Sequence, residues 1–393
     1  MAIKVEVLPR RFRRIVMVRF ERAAVGDPQL LIPQPDDRGY ADATHGPIFG
    51  LLQGDTVTVR LRREMIESAG SLFVTSSDES IFKVVTPASG ELPNTDVIDI
   101  QINGVSGGTP KTATLEVRFK TGTRSTGVAT RPVVPTGPIV HQATINVWDP
   151  PLDVMVTPHL VTIEQAGAPA PRPSIGTVAA VNAILDISRA IWRPCGIRLM
   201  PSSGATFAAA ARSHTVALAT AGVVADDFAP GGEVDTILNT DHVPHTVNAY
   251  FVHRIGNGGT LGLGISEPTR AAFGLSRPGI ILADQTAGGV IHDVPFSGND
   301  LAHEIGHFLT LPHVENLNLG NHRNDTWARR CLMHPGNRLP DPRRQFQRDI
   351  GYGELTAGGT TRGRRGALIT VKDLTQLATD AECARARGAV STI

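Results

Sequence analysis

Length, composition and charge already exclude several classes of protein. The chain has 393 residues, which corresponds to roughly two or three domains of ordinary size. Hydrophobic residues make up 41% of it, enough to build folded cores and too many for a disordered chain. Its 38 lysines and arginines balance 37 acidic residues, and the resulting net charge of +1 predicts no nucleic-acid partner.

Neither a membrane span nor a secretory leader is predicted. The chain lacks the run of roughly 18 apolar residues that a membrane helix needs. The basic segment Arg10–Arg14 is not followed by the apolar stretch of a signal peptide, so we expect a cytoplasmic protein or export by a signal-independent machine. The three cysteines, Cys195, Cys331 and Cys383, are too few for a disulfide scaffold and favour a reduced compartment or indifference to redox.

The first third of the chain has the pattern of an all-β domain. From about residue 45 to 130, short alternating segments are separated by turn-forming clusters, which predicts a β-sandwich. The alternating segments are Thr56–Leu61, Val97–Ile102 and Ala113–Phe119. With Phe73–Ile81 and Gly107-Gly108-Thr109, this region resembles bacterial immunoglobulin-like domains. The resemblance implies an immunoglobulin-like domain over residues 1–130, with its core at 45–130, that binds a target or a delivery partner.

The rest of the chain mixes helical and strand patterns. Residues 121–140 are rich in Gly, Thr and Pro and predict a linker, whose last part, 131–140, precedes a second domain over 141–390. Apolar residues at helical spacing predict helices over 174–193, 298–310 and about 371–387. The predicted strands are 154–163, Ile197–Met200, Val247–Val252, Thr260–Ile265 and Gly279–Ala283. This order of elements indicates an α/β or α+β domain.

A histidine-rich segment in the second domain carries the chemistry. His303 and His307 are four residues apart on a predicted helix, so both side chains project from one face and can reach one metal ion. Glu304 follows the first histidine, while His313 lies beyond Pro312 and requires the chain to turn after the helix. Three neutral nitrogens with one open position are the arrangement of catalytic zinc, whereas structural sites have four protein ligands. The alternative is a surface helix that carries histidines by chance.

This segment resembles the metzincin clan of zinc metalloproteases, whose motif is His-Glu-x-x-His-x-x-Gly-x-x-His followed by a methionine turn. His303, Glu304, His307 and His313 match the motif position for position, and Cys331–Pro335 resembles the Met-turn. The resemblance covers roughly residues 140–390 and is nearest to pappalysin-like members. It implies a multidomain protein in which the sandwich is followed by an α+β metzincin-type domain with a twisted mixed sheet, an active-site helix, a Met-turn and a C-terminal helix.

The resemblance also implies roles for individual residues. One Zn²⁺ would be held by the three histidines above Met333, and Glu304 would act as general base and then acid in the hydrolysis of a protein or peptide substrate. His334 and Tyr352 are candidates for stabilising the transition state. An extended substrate would add as a strand along the predicted edge strand, formed by Thr260, Leu261, Gly262, Leu263, Gly264 and Ile265.

One residue departs from the motif. Thr310 stands where the clan has glycine, and a β-branched residue is strained at the positive φ that the glycine adopts. The sequence therefore predicts either a turn of different geometry or a loosened helix end, with a consequence for the position of His313.

Other polar groups have more ordinary interpretations. Arg193-Pro194-Cys195 is similar to the cysteine switch of some metzincin propeptides, but its place inside the domain favours a half-buried structural cysteine. His242, His245 and His253 favour surface or core positions over a second metal site, and the Asn-rich stretch 316–325 favours a loop over a Ca²⁺ site. Asp300 favours a charge at the helix N-terminus over a group that orients a ligand.

Two functions of different classes remain open. The first is a zinc endopeptidase with an N-terminal binding domain, either of broad specificity or restricted to one substrate or to itself. The second is a binding protein whose β-sandwich carries the function and whose metal site is vestigial. The complete ligand set and Glu304 favour the first, while Thr310 is the one feature that favours the second.

Overall fold

A computed structural model describes residues 16–22, 30–31, 48–66, 72–119, 139–167, 178–257, 259–284, 292, 294–313, 333, 346–347, 368–369 and 380–390. In these residues the chain is rich in β-structure, with several sheets and few helices. The coarse prediction of a multi-sheet protein that mixes helices and strands is confirmed. No helix in the described ranges is long and apolar enough to cross a membrane.

The N-terminal part forms two sheets. Its described strands are β1 (Val16–Arg22), β2 (Leu30–Leu31), β3 (Ile48–Leu52), β4 (Thr56–Ile66), β5 (Leu72–Ser76), β6 (Phe82–Thr86), β7 (Val97–Gly104), β8 (Lys111–Phe119) and β9 (Ile139–Trp148). One sheet has the order β1-β4-β7-β6 and the other β2-β3-β9-β8-β5. The three alternating segments lie in β4, β7 and β8, as predicted.

Alternation along the strands builds the core between these two sheets. On β7, Ile98, Ile100 and Ile102 are buried while the residues between them are exposed or half-buried. On β8 of the other sheet, Leu115 and Val117 are buried in the same cluster. The two sheets therefore share one apolar interior, as the period-two pattern requires.

The predicted domain boundary at residue 140 is wrong. Strand β9 pairs antiparallel with β8 and parallel with β3, and its Ile145 and Val147 are buried in the core between the two sheets. The sandwich therefore extends to Trp148, and it includes β1, which precedes the predicted core at 45–130. The turn-forming composition before β9 concealed the strand, because local composition carries no information about a distant pairing partner. Most of the predicted linker, residues 121–138, lies outside the described residues.

The second part is built on a mixed sheet. Its described elements are β10 (Leu152–Glu164), α1 (Val178–Trp192), a 3-10 turn (Arg193–Cys195), β11 (Ile197–Pro201), α2 (Phe207–Ala210), β12 (Arg212–Ala217), β13 (Val223–Val224), α3 (Glu233–Asn239), β14 (Val247–Val252), β15 (Arg254–Ile255), β16 (Gly262–Ile265), α4 (Glu267–Phe273), β17 (Gly279–Ala283), α5 (Val294–Phe308), β18 (Phe346–Gln347), β19 (Leu368–Ile369) and α6 (Asp380–Val390). The main sheet has the order β11-β10-β14-β17-β16, with β12 beside β10. Its pairs are parallel except β16 with β17, which is antiparallel.

Most predicted elements of this part are confirmed within a few residues. Strands β14 and β17 have the predicted bounds, and β10, β11 and β16 overlap theirs. The helix predicted over 298–310 begins earlier, at Val294, and ends at Phe308. The described part of the tail helix, α6, ends three residues beyond the prediction, at Val390.

The mixed sheet buries a different core on each face. One core contains Val154 and Val156 of β10 together with α1 and α5. The other contains Val161 and Ile163 of the same strand together with α3. The long strand β10 thus supports both layers, and α5 is fixed on the first of them.

The sandwich and the mixed sheet meet at the turn after α1. Trp148 at the end of β9 donates from its indole Nε1 to the carbonyl of Pro194 at 2.7 Å, in a buried position. Arg193 forms two bonds with the carboxylate of Asp55, at 2.7 and 3.0 Å. Arg387 of α6 lies 4.5 Å over the Trp148 ring and donates to the carbonyl of Gly196 at 2.8 Å. One tryptophan therefore connects the sandwich, the mixed sheet and the C-terminal helix.

Cys195 differs from its prediction. It is fully buried in the core beneath α1 and is disulfide-bonded, rather than half-buried and reduced. A sulfur in a disulfide cannot act as the thiolate that a cysteine switch needs. Because disulfides are typical of oxidising compartments, this bond departs from the expectation of a reduced compartment or indifference to redox. Sequence spacing missed this bond because it does not show which cysteines the fold brings together.

A half-buried histidine in the sandwich makes stability depend on pH. Burial lowers the pKa of His141, on β9, from 6.5 to about 4. The unfolded chain therefore takes up the proton first, so stabilisation that is present above pH 6.5 is lost as the pH falls toward 4. Between pH 6.5 and 4, we expect the free energy of unfolding of wild type to fall by about 3 kcal/mol more than that of His141→Gln. Urea titrations at a series of pH values measure the difference, and parallel curves for the two proteins would contradict it.

Candidate functional site

Helix α5 is held in place by its apolar face. Leu301, Ile305 and Leu309 are fully buried in the core shared with α1. The neighbouring helix α1 adds two bonds to α5 carbonyls: Ser188 Oγ donates to Gly298 at 2.8 Å, and Trp192 Nε1 donates to Ala302 at 3.1 Å. The other face of α5, which carries the predicted ligands, is thereby fixed toward the β16 edge of the sheet.

The three predicted histidine ligands lie together. The ring centroids of His303 and His307 are 4.6 Å apart, and His313 lies 5.3 Å from the first and 4.5 Å from the second. One ring nitrogen from each lies within 4.8 Å of the other two. Zinc with bonds of about 2.0–2.1 Å places tetrahedral ligand atoms about 3.4 Å apart, so small side-chain rotations suffice to close this group around an ion.

The end of α5 explains how His313 returns to the site. The backbone N–H of Thr310 donates to His307 and that of Leu311 donates to Gly306, each at 2.9 Å. These two bonds, with Thr310 at φ 65°, form a Schellman motif, whose left-handed position is usually occupied by glycine. Both expectations for Thr310, a different turn and a loosened helix end, are wrong: the threonine adopts the left-handed conformation itself.

The same turn orients His307. Its Nδ1 lies 2.9 Å from the carbonyl oxygen of Leu311, which can only accept, so Nδ1 is the donor. In the neutral ring, Nε2 then carries the lone pair, and it faces His313 Nε2 at 2.9 Å. Metal-binding histidines are commonly fixed by such a bond from the second nitrogen to a carbonyl.

Strain at Thr310 gives a testable prediction. A β-branched residue in the left-handed region costs about 1–2 kcal/mol. Glycine would remove this strain, but it would also lose more conformational entropy on folding, which offsets part of the gain. Thr310→Gly is therefore expected to raise the free energy of unfolding by about 0.5–1 kcal/mol. Thermal and urea unfolding measure this change.

A matched threonine provides the control. Thr240 also ends a helix, α3, but has φ −68°. Thr240→Gly is expected to lower the free energy of unfolding, because no strain is relieved there. Destabilisation by both substitutions would contradict a strained turn at Thr310.

Glu304 lies between α5 and the edge strand. It is 3% exposed, and a Cβ built on Gly262 would stand 2.5 Å from its Cγ and 2.8 Å from its Oε1. A Cβ on Gly264 would likewise collide with the Glu304 backbone and stand 2.6 Å from Cβ of His307. The absence of side chains at these two glycines is therefore what lets the helix approach the strand.

The predicted edge strand and the predicted ligands line one cleft of about 400 Å³. Its wall includes residues 259–265, His303, Glu304, His307 and His313. Among the described strands, β16 ends the sheet order, so its outer edge faces this cleft. Thr260 and Leu261 precede the regular strand: Thr260 forms an isolated bridge with Ile255.

Two aromatic rings that sequence reasoning missed complete the wall. Phe228 and Phe273 contact each other with ring centroids 5.2 Å apart, and Phe273 is 51% exposed. Asp235 fixes the two segments that carry them, because it accepts from the backbone N–H of Gly231 at 2.9 Å and of Ser276 at 2.7 Å. Burial would raise the pKa of Asp235, but these hydrogen bonds outweigh burial and lower it. The rings come from distant segments, so no local pattern indicated them.

Met333 lies beneath the helix. It is fully buried in the core under α5, and a Cβ on Gly306 would collide with its sulfur. The position beneath a metal that the Met-turn resemblance implies for Met333 stays a prediction. His334, Tyr352 and the candidate Ca²⁺ stretch 316–325 lie outside the described residues.

Asp300 does not have the role that the sequence favoured. Because α5 begins at Val294, Asp300 lies beyond the first turn, where the helix dipole has little effect. It is 4% exposed on the helix that carries the ligands. Asp300 is thus a buried residue within α5 rather than a charge at its N-terminus.

A second histidine group was missed by sequence reasoning. Of the three histidines that were considered for a second metal, none belongs to a metal-like group in the described residues, and His253 lies instead 3.1 Å from Asp284. The described residues bring together His159, His214 and Asp241. Burial lowers the pKa of His159 to about 4, so this ring is neutral at neutral pH.

Comparisons with known proteins add little. Neither a scan against models of protein families nor a search of curated proteins finds a match. Among solved structures, the chain is similar to WR4, a Caenorhabditis elegans member of the MSP family, at 19% identity, over 25% of this chain and 87% of that one, with a TM-score of 0.18. It is also similar to SSP-19, an MSP-domain protein like family member of the same organism, at 18% identity, over 25% of this chain and 91% of that one, with a TM-score of 0.18. Likeness at this level supports no argument about the fold or function.

Proposed function

We propose that this protein is a zinc-dependent endopeptidase. The observation that carries the proposal is the meeting of three histidine nitrogens and a buried Glu304 in one cleft, beside β16, which ends the sheet order among the described strands. A metal site, a proton acceptor and a surface for an extended chain are the three parts that metal-assisted peptide hydrolysis requires.

The donor set fits zinc. Three imidazoles match the protein donors of catalytic zinc sites, and the bond from His307 Nδ1 to Leu311 leaves Nε2 as the nitrogen that would bind the ion. Zinc held by His303, His307 and His313 supplies Lewis acidity, since it lowers the pKa of water toward 7 and polarises a carbonyl group.

Glu304 moves the proton in this proposal. Its carboxylate lies against Gly262, inside the cleft that the three histidines also line. There it takes a proton from the attacking water and returns it to the amine that leaves, as general base and then general acid. Its burial excludes bulk water from the carboxylate, which strengthens its interaction with a developing charge.

The substrate binds as an added strand along β16. A peptide that pairs with the free edge gains main-chain hydrogen bonds without regard to sequence. Gly262 and Gly264 keep the strand close to α5, so that a bound peptide bond lies near the histidines. Phe228 and Phe273 offer an apolar wall to the side chains of that peptide.

The same features support membership of the metzincin clan. They are the third histidine after a left-handed turn, the buried Met333 beneath the ligand helix and an antiparallel edge strand beside it. The proposed assignment extends over the mixed sheet and its helices. The sandwich before it is proposed to bind a target or a delivery partner.

The alternative is a binding protein with a vestigial metal site. Its main support was Thr310, which was expected to disturb the turn before His313. Because Thr310 nonetheless adopts the left-handed conformation, that residue no longer favours the alternative.

Cleavage and zinc content measured together test the proposal. Purified wild type and Glu304→Ala are both expected to hold zinc at His303, His307 and His313, because Glu304 is not a ligand. Only wild type is expected to cleave unfolded casein and a mixed peptide library. The proposal is contradicted if neither protein binds zinc at these histidines, or if Glu304→Ala cleaves as well as wild type.

A glycine of the edge strand provides a second test. Gly262→Ala places a methyl group against Glu304, so we expect kcat/KM to fall on the order of 100-fold while zinc content is unchanged. Gly259→Ala is the matched control, because a Cβ there has no heavy atom within 4 Å although the residue lines the same cleft. Equal losses in the two variants would show that the contact with Glu304 is not the cause.

A further inference from the structure

We propose that His159, His214 and Asp241 form a second divalent-metal site, separate from the three-histidine site. One nitrogen or carboxylate oxygen from each of the three residues lies within 4.8 Å of the other two. They come from β10, β12 and the turn after α3, so the fold brings them together from three separate segments.

The sheet separates this group from the first site. On β10, His159 shares its face with Val161 and Ile163, which pack in the core on the α3 side. Val154 and Val156 face the core on the α5 side. The two histidine groups therefore lie on opposite faces of the mixed sheet, and each can be altered without contact with the other.

His159 is fixed in position before any ligand binds. Its ring is fully buried and stacks on Tyr250, with centroids 4.3 Å apart and planes inclined by 17°. A buried, stacked ring has lost its rotational freedom on folding, so binding through it requires no further ordering.

Asn248 determines which nitrogen of His159 carries the proton. The Nδ2 of Asn248 donates to the carbonyls of Val243 and Thr246, at 2.9 and 3.1 Å, so its Oδ1 is an acceptor. That oxygen lies 2.9 Å from His159 Nε2, which must therefore donate. In the neutral ring this leaves a lone pair on Nδ1, which lies 3.0 Å from His214 Nε2.

The arrangement repeats that of the first site. There, His307 donates from one nitrogen to a carbonyl at 2.9 Å and presents the other to His313 Nε2 at 2.9 Å. Here, His159 donates to an amide oxygen at 2.9 Å and presents Nδ1 to His214 at 3.0 Å. A histidine oriented by a bond from its second nitrogen is the usual form of a metal ligand.

Asp241 supplies the third donor and gives access from solvent. It has φ 47°, and its Oδ2 accepts from Arg212 at 2.6 Å and lies 3.8 Å from His214 Nε2. Its side chain is 47% exposed, so an ion can enter from this side. Two imidazoles and one carboxylate suit zinc and related transition ions. The charge of Arg212 opposes a cation, so we expect weaker binding here than at the three histidines.

Zinc stoichiometry of the full chain tests the site. After incubation with a small excess of zinc chloride and removal of unbound ions, wild type is expected to hold two zinc ions per chain. Asp241→Asn and His214→Ala are each expected to hold one, and asparagine tolerates the left-handed backbone at position 241. His245→Asn is the matched control: this histidine is also exposed and left-handed, lies outside the group, and should leave two ions.

The two sites can be lost independently. His307→Ala is expected to lose one ion and to retain the one that depends on Asp241. If wild type holds a single ion that His307→Ala removes, or if Asp241→Asn and His214→Ala both keep the full wild-type content, the second site is wrong. If Asp241→Asn loses zinc while His307→Ala loses none, the result supports this site and contradicts the proposed function. Circular dichroism confirms that each variant is folded before its metal is counted.

Discussion

The turn that ends α5 is the constraint on which the candidate site depends. By adopting a left-handed conformation, Thr310 ends the helix directly after His307 and sends the chain back toward the same face. As a result, the carbonyl of Leu311 accepts a hydrogen bond from His307 and orients its ring, and His313 approaches the other nitrogen of that ring. Glycine would make this turn without strain, so the threonine holds it at a cost of about 1–2 kcal/mol. The buried face of α5 must supply the stability that keeps the strained turn in place.

Packing around the helix positions the remaining parts. On one side, Gly306 leaves room for the buried Met333, and on the other, Gly262 and Gly264 let the edge strand approach Glu304. Each of these close contacts depends on the absence of a side chain at a glycine, while the buried apolar face of α5 holds the helix itself in place. The glycines of the strand, Glu304 and the aromatic pair all line this one cleft.

Local patterns in the sequence predicted several strands of both parts, the helices α1, α5 and α6 and the three histidines, because periodicity and spacing are properties of neighbouring residues. They failed where the outcome depends on distant segments. Strand β9 was assigned to the linker and second domain because its partners, β3 and β8, are remote in sequence. His159 and His214 are separated by 55 residues, so they form no local motif that the sequence could reveal. Thr310 was misjudged because a propensity argument cannot weigh the tertiary contacts that hold a strained residue.

In the proposed site, one zinc ion would be bound by three histidines of α5 and its following turn, and Glu304 would not be a ligand. Anomalous diffraction at the zinc absorption edge, on crystals of the full chain, tests this claim directly. We expect a peak about 2.0–2.1 Å from one nitrogen each of His303, His307 and His313, with the Glu304 carboxylate outside bonding distance. The absence of that peak after exposure to zinc, or a peak bonded to Glu304 in place of a histidine, would contradict it.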